Sequence, residues 1–157
     1  MACWFRIFNP SLADWEPEKV MEGLQPLYPG IQGKFRTDDD GWFQLVLSHE
    51  FLGELPIDRF LSTEKGVRAQ LNTWAGWLET KDRHDLMEKI IQVGQIISFE
   101  LPDDLDSESP EFVSYRKLAR YLTSLCHGFF QADGVGFVDE HDQLLIEDEV
   151  GVMGDEE

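Results

Sequence analysis

A handful of neighbouring residues in this chain are of types that could do chemistry. Cys126 adjoins His127, as a thiolate–imidazole pair would require, and His49–Glu50, His84–Asp85 and His141–Asp142 each set an imidazole beside a carboxylate. A nucleophile and its base must lie within hydrogen-bond reach of each other. Adjacent residues point about 100° apart on a helix and to opposite faces of a strand. These pairs therefore read as structural: Cys126 extends an apolar stripe past Leu125, and His127 suits the negative end of a helix. No two histidines stand four apart, and neither a phosphate-cradling G-x-x-x-x-G-K-[ST] nor a G-x-S-x-G elbow occurs. The acids of "TDDDG" and "DEHDQ" lack the alternating oxygens, turn glycine and closing Glu of a calcium loop. The reading is of a chain without catalytic residues, metal or cofactor.

Charge is the stronger signal. Against 13 Lys and Arg the chain carries 31 Asp and Glu, a formal net charge of −18, and no Lys or Arg follows Arg120. Such a field repels phosphate backbones and anionic membranes, so neither nucleic acid nor a membrane is an expected partner. It draws in basic proteins. The acids placed to meet one are Asp38, Asp39, Asp40, Asp103, Asp104, Asp139, Glu140 and Asp142. Trp74 and Trp77, three apart on an expected helix, read first as core and second as part of a partner patch. The basic cluster Arg116, Lys117 and Arg120 reads as local balance for the acids that precede it.

Composition sets the frame for these residues. The apolar share of 42%, with 11 Phe and 5 Trp, is enough for one packed domain. The two cysteines, Cys3 and Cys126, fit reduced thiols. The amino terminus lacks the pattern of a signal peptide, and no apolar run nears the ~20 residues of a membrane span, so the cytoplasm is expected.

Periodicity supplies the elements. Cys3–Phe8 alternates as a strand with large groups on both faces, so either both faces are covered or Trp4 and Phe8 await a second copy. Pro17 opens a helix that ends near Gln25. Ile31–Arg36 and Trp42–Leu47 pair across an Asp–Gly turn. From Ile57 to Val93 the spacing turns helical, with Asp82 as a cap between two helices. Ile96–Leu101 is a strand, Pro110 opens a helix with Gly128 just past its end, and Phe129–Val138 is one extended segment returned by Leu144–Glu147.

The fold expected is α+β: a single domain over residues 1–150, with an antiparallel or mixed sheet from two βαββ half-units, 1–50 and 95–148. A helical hairpin, 57–93, links them, and 151–157 is a mobile acidic tail. The matching order suggests internal duplication. The function favoured is a non-enzymatic binding or regulatory protein, an immunity- or inhibitor-type partner of a basic protein. The alternative is a small-molecule-binding protein or enzyme with a cleft between the halves that uses Glu50, Asp133 or Glu147.

Overall fold

A computed structural model describes residues 3–13, 15–102 and 108–148. The described residues form an eight-stranded antiparallel sheet with four helices. The strands are β1 (Cys3–Asn9), β2 (Gln32–Asp38), β3 (Gly41–His49), β4 (Gly53–Leu61), β5 (Gln95–Leu101), β6 (Phe129–Ala132), β7 (Gly136–Asp139) and β8 (Leu144–Glu147). The helices are α1 (Pro17–Leu24), α2 (Lys65–Thr80), α3 (His84–Ile91) and α4 (Pro110–Cys126). The sheet is open, in the order β2-β3-β4-β5-β1-β6-β7-β8.

β1 lies at the centre because both of its faces are apolar. Phe5 and Ile7 join the core beneath α1 and α4, while Phe8 joins a second core beneath α2 and α3. Helices therefore cover both faces of the central strands, which is the condition that lets a strand with large apolar groups on both faces stay in a sheet. Phe8 is fully buried, stacked on Phe129 and Phe137 and meeting Trp74 edge-on. α1 and α4 also hold each other: the Tyr121 hydroxyl donates to the Val20 carbonyl beside Gly23. α4 begins at an N-cap whose Ser109 hydroxyl accepts the Phe112 N–H, with Pro110 in the first turn.

Three expectations need correction. The helical spacing from Ile57 begins too early, because Leu55, Ile57 and Arg59 alternate inward along strand β4 and only residues from Lys65 onward are helical. Phe129–Val138 is not one segment: a turn at Asp133–Val135 splits it into β6 and β7, with Gly134 at φ 82°. Asp82 does not cap α3. It adopts a left-handed φ of 58°, and the cap position falls to Arg83, whose guanidinium reaches the Leu145 carbonyl. At the end of α4, His127 takes the left-handed conformation. Gly128 is needed for another reason, since a Cβ there would collide with the Phe8 carbonyl.

The element order repeats as strand, helix and three strands, but the sheet does not repeat with it. After β1 the chain crosses to the far edge and β2, β3 and β4 step inward; after β5 it crosses one strand and β6, β7 and β8 step outward. An internal duplication is thus not confirmed. The halves also interleave, with β1 paired to both β5 and β6, so no boundary divides the sheet between them.

Antiparallel pairing fixes which loops share an end of the sheet. β2, β4, β1 and β7 occupy alternate positions in the sheet, one strand lying between each and the next, so all four run the same way. The β2–β3 turn, the exit of β4 into α2 and the β7–β8 turn therefore emerge at one end, the end where β1 finishes at Asn9. Along the sheet the two hairpin turns are roughly 29 Å apart.

Candidate functional site

At that end a concavity of about 480 Å³ opens between the start of β3, the end of β4 and the start of α2. Asp38, Asp40, Asp58 and Glu64 ring it, and Phe43 and Phe60 face it. Both phenylalanines are 39% exposed, and neither belongs to either core cluster, although Phe60 pairs directly with Ile96 at the margin of the second. Phe43 reaches the concavity through the bulge that shifts the β2–β3 register between Arg36 and Thr37.

Directly paired residues share a face, so the register carries a polar row across six strands: Arg36, Gln44, Asp58, Ser98, Arg6 and Gln131. The outer part of this row aims Asp58. Arg36 Nη1 donates to Gln44 Oε1 at 3.2 Å, and Gln44 Nε2 donates to Asp58 Oδ1 at 3.0 Å. The guanidinium of Arg36 also lies over Phe43, 5.6 Å from the ring centre. Beneath, buried Arg59 stacks on Trp42 and donates to the carbonyls of Asp40 and Trp42, fixing the turn that carries the acids.

The inner part of the row is a buried cluster. Arg6 Nη1 donates to Gln131 Oε1 at 2.7 Å and to Asp133 Oδ1 at 2.8 Å, and the Asp133 carboxylate also accepts the Trp4 N–H. Gln131 Nε2 donates to Asp133 and, at 3.0 Å, to Asp148, which also accepts the Gly134 N–H. Burial works to raise both carboxyls. For Asp133 the Arg6 guanidinium and the amide donors prevail and hold it below its usual range. Asp148 is pushed up to about 6 by burial, reinforced by the negative charge of Asp133.

This has a consequence for stability. A carboxyl whose pKa is raised on folding binds its proton more readily in the folded state, so Asp148 costs stability above pH 6 and stops doing so as the pH falls towards 4. Asp133 has the opposite sign, with its loss falling below about pH 4, outside this window. Asp148→Asn should therefore raise unfolding free energy by about 1 kcal/mol at pH 7.5, after discounting for partial exposure, and by less at pH 5. Urea unfolding of both proteins at the two pH values reads this out; equal effects at both would contradict it.

The acids singled out in the sequence are dispersed. Asp38, Asp39 and Asp40 cap the β2–β3 turn, with Asp38 Oδ1 accepting the Asp40 N–H. At the other hairpin Asp139 Oδ1 accepts the N–H groups of His141 and Gln143, Glu140 pairs with His127 at 3.0 Å, and Asp142 pairs with Arg116 at 3.0 Å. Asp103 and Asp104, like the 151–157 tail, lie outside the described residues. Trp74 and Trp77 are 2% and 9% exposed in the core under α2, so neither indole presents a surface to a partner. Glu50, on the turn after β3, and Glu147, at the end of β8, are exposed and far apart in the strand order, and Asp133 is engaged by Arg6. Cys126 is half-buried, its thiol raised to about 11 by burial, which leaves no thiolate for His127 to pair with.

Phe43, Asp58, Phe60 and Glu64 were not singled out by the sequence reading. The signal for them was faint: one polar residue set in the middle of each apolar strand, such as Gln44 in "GWFQLVL" and Gln131 in "FFQA". Among the described residues no group of three or more His, Cys, Asp or Glu could hold a metal ion, and no helix is long and apolar enough to cross a membrane. Comparison with protein families, with curated proteins and with solved structures returns no match.

Proposed function

We propose that this chain is a non-enzymatic binding protein of immunity or inhibitor type, whose acidic sheet end engages a basic protein. What supports this reading is that Asp38–Asp40, the carboxylates around the β4–α2 concavity and Asp139–Asp142, though spread over roughly 29 Å, all lie at one end of the eight-stranded sheet. In a chain of net charge −18, that end offers a rigid row of turns instead of a flexible acidic tract. Charges held this way speed encounter and set orientation.

The test compares two variants with equal charge loss. Asp39→Asn with Asp40→Asn removes two carboxylates from the binding end, and Glu79→Gln with Glu88→Gln removes two from exposed sites on α2 and α3. Titration calorimetry with a lysine- and arginine-rich 15-residue peptide at low salt should show about fivefold weaker binding for the first pair and less than twofold for the second. Equal losses would mean that only net charge matters, and the reading would fail.

Small-ligand binding is a second reading, favoured by a separate cavity of about 290 Å³ lined by Phe8, Val93, Phe129 and Leu145, with His127 and Asp139 at its rim. A small molecule retained through purification and seen by native mass spectrometry would move the balance towards it.

A further inference from the structure

We propose that the concavity between Phe43 and Phe60 is a socket for a single arginine side chain of the basic partner. The inference rests on the partner reading above and names the chemistry that one part of that surface selects. Carboxylates alone would form only a solvated rim. Here they stand around two partly exposed phenylalanines, and the volume of about 480 Å³ is ample for one long side chain.

Three observations select a guanidinium. Asp58 is held in place by the Gln44 amide, so its carboxylate is oriented before any ligand arrives. Asp38, Asp40 and Glu64 complete a ring of four negative groups, while Arg59, the cation on this lining, is turned to Gln95 and to backbone carbonyls. The protein already places its own guanidinium, that of Arg36, over Phe43 at 5.6 Å. A planar guanidinium can stack on a ring while donating two hydrogen bonds to a carboxylate; an ammonium on a flexible stem does this less well.

The probes are acetyl-Gly-Arg-Gly-amide and its lysine and citrulline counterparts, titrated into the full chain at low salt and followed by NMR of the phenylalanine rings and the backbone amides. The arginine peptide should shift Phe43 and Phe60 saturably, bind about threefold more tightly than the lysine peptide, and leave the citrulline peptide without effect. Asp58→Asn and, separately, Phe60→Leu should each weaken it about fivefold with the amide spectrum otherwise preserved. Two results overturn the socket: arginine-induced shifts spread evenly over the 38–41 and 139–142 turns, or affinity unchanged in both variants. If the 15-residue basic peptide still binds in either case, the socket alone is lost. If that peptide does not bind at low salt, the partner reading falls as well.

Discussion

Phe5→Ala should lower the unfolding free energy by about 4 kcal/mol. Phe5 is fully buried at the centre of the middle strand, with Phe99 stacked on one neighbouring strand at 5.3 Å, Phe130 stacked on the other at 6.0 Å, and Phe112 of α4 edge-on at 5.6 Å. Truncation removes the transfer free energy of the ring and leaves a cavity that three aromatic neighbours on different elements cannot jointly fill. A domain of this size has only about 5–15 kcal/mol in total, so the variant should sit near the threshold of folding. Denaturant unfolding measures the loss; a change under 1.5 kcal/mol would mean that the core collapses around the site and that the aromatic stack is not what holds β1 between β5 and β6.

The second large effect is expected at Arg59. Its guanidinium is buried and makes no ion pair with any described carboxylate. Nε donates to Gln95 Oε1 at 2.5 Å, Nη1 to the carbonyls of Trp42 and Asp40 at 2.8 and 3.2 Å, and Nη2 to the Leu12 carbonyl at 3.3 Å. Gln95 in turn donates to the carbonyls of Ser11 and Ala13. One side chain thus fastens the β1–α1 connection and the acidic β2–β3 turn to the middle of the sheet. Arg59→Met keeps the apolar stem against Trp42 but strands three backbone carbonyls, at a cost of about 3 kcal/mol. The same variant should weaken the 15-residue basic peptide, because the turn bearing Asp39 and Asp40 loses its anchor. Stability unchanged within 1 kcal/mol would show that water satisfies these carbonyls and that the hub is dispensable.

Much of the fold could be read directly. β1, the β2–β3 hairpin with its Asp–Gly turn, β5 and α4 follow from alternation, turn chemistry and helical spacing, which act over a few residues. β4 was lost because Pro56, Asp58 and Arg59 interrupt the apolar count in a strand, while the helical stripe just beyond is strong. The split between β6 and β7 was lost because glycines at 134 and 136 are as compatible with a bulge as with a turn. The candidate site was the least legible part. The turns that carry its acids were visible, but Asp58, Phe43 and Phe60 meet only through the order of strands and a single bulge. Both depend on pairing between segments far apart in the chain. Helical spacing did point to the core for Trp74 and Trp77, but local sequence could not show that the groups they would cover are Phe8 and Phe137.

The most direct test of an acidic docking end is the kinetics of association with the 15-residue basic peptide as salt is raised from 20 to 300 mM. Steered capture by a fixed negative end predicts an on-rate that drops at least about tenfold while the off-rate changes little, with a smaller drop in the Asp39→Asn, Asp40→Asn protein. An on-rate indifferent to salt, or one that falls equally in that variant and in the parent, would contradict it.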